Sequence, residues 1–227
     1  MTSDDVMEWD DAYQEHGPFQ GPPPWNIGEP QPELTPLITS GKIRSDVLDA
    51  GCGYAELSLA LAAKGYTVVG IDLTPTAIAA ATKAANERGL TNATFVQDDI
   101  TSFGGYDGRF NTVIDSTLFH SLPVEGRDGY LRAVHRAAAP GAAFYILVFA
   151  DGAFPPGDFG PNTVSEDELR QAVSKHWRVD EIRPAFIHAT MSAAIPADAP
   201  FTMPTFENDE KGRQKMPAFL LTAHKGD

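Results

Sequence analysis

Residues 47–56 read VLDAGCGYAE, and this stretch decides the fold. An apolar run leads into two glycines one residue apart, and the segment YTVVGID follows at residues 66–72. This order predicts a strand, a glycine turn, a helix and a second strand that ends in Asp72. It is the first half of a nucleotide-binding α/β sheet, because glycines admit a ligand close to the backbone and the carboxylate lies where a ribose diol would bind.

The glycine pattern argues against a dinucleotide. Gly51 and Gly53 fill the first two positions of the G-x-G-x-x-G fingerprint, but Glu56 occupies the third, and a carboxylate at a helix start would repel a pyrophosphate. S-adenosylmethionine has no phosphate and carries a sulfonium and an ammonium cation. Asp49, at the end of the first strand, also suits a cationic ligand. The spacing therefore predicts S-adenosylmethionine as the cofactor.

The stretch DAGCG at residues 49–53 resembles the first motif of the class I S-adenosylmethionine-dependent methyltransferases, with Ala55 as a mild departure at the third small residue. The resemblance covers residues 45–150 best. It implies that Asp72 holds the ribose hydroxyls and that Asp99 meets the adenine amino group, although the choice between Asp98 and Asp99 stays open. The implied cofactor contacts are Trp25, Asp49, Gly51, Gly53, Asp72, Leu73, Asp99, Ile100, Asp115 and Ser116.

The alternation of strands and helices predicts an α/β fold with a doubly wound, mostly parallel sheet. The resemblance makes it a Rossmann-like sheet of seven strands with a final antiparallel strand. Helices are expected near residues 6–15, 55–63, 75–88 and 126–138, the last ended by Pro140 and Gly141. The last two strands are expected at residues 178–182 and 218–222, with an irregular insertion at residues 193–216 between them. We expect two units, an N-terminal lid at residues 1–34 and a methyltransferase domain at residues 35–227.

Charge and composition argue against several classes of protein. The net charge is −14 and the pI is near 4.7, whereas a nucleic-acid partner requires a basic surface. The acidic N-terminus does not resemble a signal peptide, and the longest apolar run, residues 137–150, is too short to span a bilayer. Cys52 is the only cysteine, which fits a reducing compartment. We expect a cytoplasmic monomer or weak homodimer with no metal and no membrane partner.

The N-terminal segment carries a narrower resemblance. Residues 9–13 read WDDAY and residues 24–34 read PWNIGEPQPEL, and these stretches resemble the thiol and thiopurine methyltransferases, whose corresponding segment folds over the cofactor as a lid. The whole chain is similar to mycobacterial methyltransferases that act on quinones and heterocyclic toxins. Trp9, Tyr13 and Trp25 offer flat aromatic faces to an adenine or a cation.

Aromatic, proline-rich loops predict the acceptor pocket. The segments FPPGDF at residues 154–159 and FTMPTF at residues 201–206 are expected near the same sheet edge as the lid, which favours an apolar pocket for an aromatic molecule.

His120 follows the fourth strand and is expected near the transferable methyl group, as a base or as an orienter of the acceptor oxygen. The candidate catalytic residues are His120 and Asp115, and the candidate acceptor contacts are Tyr13, Phe19, Trp25, Phe119, His120 and Phe154.

These features predict methyl transfer to a small aromatic acceptor, most simply O-methylation of a hydroxylated heterocycle or a quinol in detoxification. Three alternatives stay open at this point. The lid resemblance also allows S-methylation of small thiols. From other classes, a dinucleotide-dependent reductase is disfavoured by Glu56, and a protein that binds S-adenosylmethionine without turnover is disfavoured by the position of His120 beside the expected pocket.

Overall fold

The computed structural model of the chain describes residues 9–13, 22–155, 162–190 and 204–226. Its sheet has seven strands in that part of the chain. They are β1 Val47–Ala50, β2 Val68–Asp72, β3 Ala93–Gln97, β4 Phe110–Ser116, β5 Ala138–Phe149, β6 Arg178–Ala189 and β7 Gln214–His224. The strand order is β3-β2-β1-β4-β5-β7-β6, and β7 runs antiparallel to both of its neighbours. The predicted doubly wound sheet with a final antiparallel strand is confirmed.

Helices cover both faces of this sheet. They are α1 Trp9–Tyr13, α2 Thr35–Thr39, α3 Glu56–Ala63, α4 Pro75–Glu87, α5 Arg127–Ala137 and α6 Glu166–Val173, with short 3-10 turns at Pro32–Leu34, Phe119–Ser121 and Val124–Gly126. The strand β5 shows why two faces are needed. Phe144, Ile146 and Val148 enter one core cluster, whereas Tyr145, Leu147 and Phe149 enter the other, because successive side chains of a strand point to opposite faces.

The transition from α5 to β5 differs from the prediction. The sequence suggested that Pro140 and Gly141 end the helix, but α5 already ends at Ala137 and β5 begins at Ala138 without a loop. Pairing with β4 jumps from Phe110↔Ala138 to Thr112↔Ala143, so Pro140 and Gly141 lie in an irregularity of the strand. A bulge tolerates a proline because its missing N–H is not needed in the ladder.

The two C-terminal strands are longer than predicted. The structure extends β6 to Ala189 and starts β7 at Gln214, so residues 214–216 belong to a strand and not to the expected irregular insertion. Residues 191–203 lie outside the described part of the chain. The edge strand β6 carries exposed charged residues such as Glu181, and these interrupt the apolar pattern from which its length was estimated.

Candidate active site

The glycine turn after β1 is approached closely from two sides. Gly51 and Gly53 have positive φ angles of 68° and 51°. A Cβ atom at Gly51 would lie 2.8 Å from the Leu118 side chain, and one at Gly53 would lie 2.6 Å from the Tyr13 hydroxyl. Both positions therefore require glycine for backbone conformation and for space. The turn after β4 and the helix α1 meet at the predicted cofactor motif.

Asp72 ties the end of β2 to the glycine turn. Its Oδ2 accepts a hydrogen bond from the Gly53 N–H at 2.8 Å, and its Oδ1 accepts from the backbone N–H and the hydroxyl of Thr74 at 3.0 and 2.8 Å. The side chain is buried. The sequence placed Asp72 at the ribose site, and the structure adds that this carboxylate organises the turn that precedes α3 and the start of α4.

Asp49 gives the site a second buried acid. Its Oδ2 accepts a hydrogen bond from the Ser58 hydroxyl at 2.6 Å. Burial, together with the nearby Asp72 carboxylate, raises the pKa of the Asp49 carboxyl to about 6. A cationic ligand beside these two groups would favour their charged forms. Burial also raises the pKa of the Cys52 thiol, so this cysteine is a packed side chain and not an activated nucleophile.

The expected adenine region lies at the ends of β2 and β3. Leu73 follows β2 with 58% of its surface exposed, whereas Ile100 is buried. An exposed leucine at this edge suits the face of an aromatic base. Asp99 Oδ1 accepts hydrogen bonds from the backbone N–H and the hydroxyl of Thr101 at 2.8 and 2.7 Å, and Asp98 Oδ1 accepts from the Asp99 N–H at 2.8 Å. Which of the two acids meets adenine stays a prediction.

Asp115 shapes the turn that follows β4. Its Oδ1 accepts from the backbone N–H groups of Leu118 and Phe119 at 2.8 and 3.3 Å, and its Oδ2 accepts from the Tyr130 hydroxyl at 2.8 Å. The carboxyl is fully buried, and burial raises its pKa to about 7. The neighbouring Thr117 has a φ of 78°, a strained conformation of the kind that occurs at functional sites. These hydrogen bonds favour a role for Asp115 in positioning the turn after β4. Its direct contact with the cofactor and its catalytic role stay predictions. Ser116 lies half-buried at the same strand end.

His120 lies in the same turn and is 3% exposed. Its Nδ1 accepts a hydrogen bond from the Phe149 backbone N–H at 3.3 Å. Burial, together with the Arg127 charge, lowers the pKa of the imidazole to about 3. A neutral imidazole whose Nδ1 accepts carries its hydrogen on Nε2. Of the two roles predicted from the sequence, this tautomer fits an orienter that donates to an acceptor oxygen, because a base needs a free nitrogen lone pair.

An aromatic wall extends from His120. Its ring centroid lies 4.5 Å from that of Phe149, and the Phe154 ring stands edge-on to Phe149 at 4.9 Å. Phe149 was missed by sequence reasoning because it closes a continuous apolar run, although its place at the last residue of β5 was a usable signal. Phe119 faces the other way, fully buried near Tyr130, and its predicted acceptor contact stays a prediction.

The N-terminal helix lies across the glycine turn. The Tyr54 hydroxyl donates to the Tyr13 carbonyl at 2.6 Å, and Asp10 Oδ1 accepts from the Thr76 N–H at 3.0 Å. The Trp9 and Trp25 rings meet edge-on at 5.9 Å, and Trp25 hydrogen-bonds the Tyr13 side chain. Burial, with Asp72 nearby, raises the pKa of Tyr13. These contacts lie where the predicted lid was expected, whereas Phe19 lies outside the described residues.

Gln31 anchors the base of this segment on β6. Its Oε1 accepts from the His188 N–H at 2.8 Å, and its Nε2 donates to the carbonyls of His188 and Trp25 at 3.0 and 3.3 Å. An ion cluster lies beside it, in which Arg213 contacts Glu29 and Asp209 at 2.5 and 2.7 Å. Sequence reasoning did not identify Gln31, since nothing local marks a long-range partner at residue 188.

Replacing Gln31 with leucine is expected to loosen the lid. The change keeps the side-chain size but leaves the buried N–H and C=O of His188 without partners, which costs about 2 kcal/mol of stability. We expect calorimetry to show that the variant binds S-adenosylmethionine about tenfold more weakly, because part of the binding free energy must then order the N-terminal segment. Gln171→Leu, at an exposed position on α6, is the matched control, and equal affinities for the two variants would contradict a lid function for the segment.

Among the described residues, no group of three or more His, Cys, Asp or Glu side chains is arranged to hold a metal ion. In the same part of the chain, none of the helices is both long and apolar enough to cross a bilayer.

The residues at the strand ends fit S-adenosylmethionine. Two glycines with positive φ form the tight turn after β1, the buried carboxyl groups of Asp49 and Asp72 at the ends of β1 and β2 suit a cation, and the exposed Leu73 offers a surface for adenine. A family model for a methyltransferase domain matches residues 47–141. The chain belongs to the S-adenosylmethionine-dependent methyltransferases, and it uses that cofactor as methyl donor.

Known proteins extend this assignment over the whole chain. A 2-heptyl-1-hydroxyquinolin-4(1H)-one methyltransferase of Mycobacteroides abscessus is 51% identical over 227 residues, which cover 99% of this chain and all of that protein. A solved structure from work on the conversion of a disulfide bond into a thioacetal group during echinomycin biosynthesis is 34% identical, with a TM-score of 0.80 and coverage of 96% and 91% of the two chains.

A more distant structure supports the fold alone. It is the 1,6-didemethyltoxoflavin-N1-methyltransferase of Burkholderia thailandensis with bound S-adenosylhomocysteine, which is 20% identical with a TM-score of 0.59 and covers 86% of this chain and 77% of its own. The resemblance to class I methyltransferases, including the mycobacterial group, is confirmed by these comparisons.

Proposed function

We propose that this protein O-methylates a hydroxylated aromatic heterocycle of the 1-hydroxyquinolin-4-one type. The observation that carries the proposal is the 51% identity, over nearly the full length of both chains, to an enzyme named for such an acceptor. The site is compatible with it, because the wall of Phe149 and Phe154 suits a flat ring system and a neutral His120 suits a hydroxyl oxygen.

The chain's own residues have distinct tasks in this proposal. Asp49, Asp72 and the glycine turn hold the cofactor, which supplies a methyl group already activated by its positively charged sulfur. The Nε2–H of His120 donates to the acceptor oxygen and fixes its direction. Asp115 fixes the turn that carries His120. Most of the rate enhancement then comes from alignment of donor and acceptor, an effect of about 7 kcal/mol or more in well-oriented systems.

A second candidate is methylation of a sulfur acceptor. The 34% identical structure comes from work on disulfide-to-thioacetal chemistry, and the lid segment resembles thiol methyltransferases. This structure is less similar to the chain than the hydroxyquinolone methyltransferase, which is 51% identical. We therefore rank the oxygen acceptor first.

A panel of acceptors tests the proposal. Methyl transfer to a 1-hydroxyquinolin-4-one, to quinolin-4-one without the N-hydroxyl group and to a small aliphatic thiol is followed by mass spectrometry. We expect kcat/KM for the hydroxylated heterocycle to exceed that for the thiol by about a hundredfold, since the ring adds roughly 3 kcal/mol of apolar contact. A thiol that is used equally well would overturn the proposal in favour of the second candidate.

We further infer that the reaction removes a toxic or redox-active heterocycle, and that the protein is cytoplasmic and works as a monomer or weak homodimer with residues 1–34 as a lid. The single cysteine, half-buried and unable to form a disulfide within the chain, supports a reducing compartment. Sedimentation at two protein concentrations tests the oligomeric state, and a tight dimer at both would contradict it.

A further inference from the structure

Arg127 places a positive charge beside the turn that holds His120. It is the first residue of α5, its guanidinium lies 4.7 Å from the centre of the Phe119 ring, and its Nη2 donates to the Asn162 carbonyl at 3.0 Å. Its Nε is buried and meets no acceptor among the described residues. No carboxylate of that part of the chain lies within ion-pair distance of it. This guanidinium therefore retains charge and a donor for an anion.

No free base is available beside the acceptor among the described residues. The Nδ1 of His120 is occupied by the Phe149 N–H. Both oxygens of Asp115 accept hydrogen bonds from the chain, and so do both oxygens of Asp72. Among these described groups, each atom that could take a proton from a neutral hydroxyl already accepts a hydrogen bond from the chain.

We propose that this site binds its acceptor as an oxyanion that has already lost its proton to solvent, and that Arg127 is the residue that selects the anion. The inference rests on the proposed function and deepens it, because it restricts the substrates to hydroxylated heterocycles acidic enough to ionise near neutral pH. A neutral His120 then serves as hydrogen-bond donor to the anion, and Arg127 supplies the compensating charge.

The transfer step needs no proton movement on the enzyme. A lone pair of the acceptor oxyanion forms the new O–CH3 bond, while the S–CH3 bond breaks and its electron pair returns to sulfur. The anion and the sulfonium cation are neutralised together. The charged groups that face His120 are Arg127 from α5 and, behind it, Glu168 from α6, with Asp115 from β4 on the other side of the turn. Glu168 is held in a capping box by Ser165, which leaves Arg127 as the cation, among the described residues, whose charge acts on His120.

The pH dependence of a substrate series tests this proposal. Ring-substituted 1-hydroxyquinolin-4-ones of different acidity are compared at pH from about 5 to about 9. We expect the midpoint of the rise in kcat/KM to follow the pKa of each acceptor. A midpoint that stays at one pH for all acceptors would assign the proton to an enzyme base and overturn the inference. Absence of transfer and of binding for every member, with S-adenosylmethionine bound, would instead contradict the proposed function.

Direct binding of the acceptor provides the second readout. In the complex with S-adenosylhomocysteine, Arg127→Gln is expected to weaken binding of the ionised acceptor about tenfold, the effect of one charge-assisted contact, and to leave binding of quinolin-4-one unchanged. Arg127→Lys should retain most of the preference for the anion. Arg132→Gln, at an exposed position on the same helix, is the matched control. Equal weakening of ionised and neutral ligands by Arg127→Gln would mean that the residue only supports the fold and would overturn its role.

Discussion

Replacing Asp72 with alanine is expected to raise the dissociation constant for S-adenosylmethionine roughly tenfold or more. The carboxylate is predicted to hold the ribose hydroxyls, and the structure shows that it also holds the Gly53 N–H and the start of α4 through Thr74. The alanine variant loses a charge-assisted contact to the ligand and the order of the glycine turn together. One such contact contributes about 1.5–3 kcal/mol, and calorimetric titration of the purified variant measures the loss.

Two variants separate the parts of this effect. Asp72→Asn keeps one oxygen acceptor and removes the charge, so its affinity is expected to lie between those of the natural protein and the alanine variant. Asp167→Ala, an exposed acid in the first turn of α6, is the matched control and should bind normally. Unchanged affinity in Asp72→Ala would remove this residue from the cofactor site.

Replacing Asp115 with alanine is expected to lower the free energy of unfolding by about 3 kcal/mol or more. The change leaves the N–H groups of Leu118 and Phe119 and the hydroxyl of Tyr130 without their acceptor in a fully buried place. Each buried donor that is left without an acceptor lowers the free energy of unfolding by about 1–3 kcal/mol. Urea denaturation measures the loss, and Tyr130→Phe, which removes one of the three bonds, should cost about 1 kcal/mol. A loss no larger than that of Tyr130→Phe would contradict the role given to Asp115.

The raised pKa of the Asp115 carboxyl also predicts how the stability of the protein depends on pH. Its pKa is raised by burial from an ordinary value of 3.8 to about 7 in the folded state. Between these values the folded protein holds a proton that the unfolded chain has released, so the contribution of Asp115 to stability falls as the pH rises from about 4 to about 7. Asp115→Asn does not titrate, and we expect the stability of the natural protein relative to this variant to decline across that window. A constant or increasing difference would show that the carboxyl ionises normally.

The parts of the fold that depend on local pattern were predictable from the sequence. The glycine turn needs Gly51 and Gly53 for steric reasons, and Asp72 ends a strand marked by a run of β-branched residues. In each case the signal and the structure that it specifies lie within a few residues of each other.

The parts that depend on distant partners were not predictable. Gln31 acquires its role only because His188 is brought beside it, 157 residues further along the chain. The hydrogen bond from Phe149 that fixes the tautomer of His120 crosses between two strand ends. The lengths of β6 and β7 follow from pairing with each other across exposed, charged positions, where the apolar pattern is weak. Local composition carries none of this information.

The position of the transferred methyl group tests the central claim most directly. S-adenosylmethionine labelled with 13C in the methyl group is incubated with the protein and a 1-hydroxyquinolin-4-one, and the product is examined by carbon NMR. The account predicts a single new signal of a methyl group bonded to oxygen, and this signal should appear more slowly in Asp72→Ala at cofactor concentrations that just saturate the natural protein. A labelled methyl group on carbon, on a ring nitrogen or only on an added thiol would contradict O-methylation of a hydroxylated heterocycle.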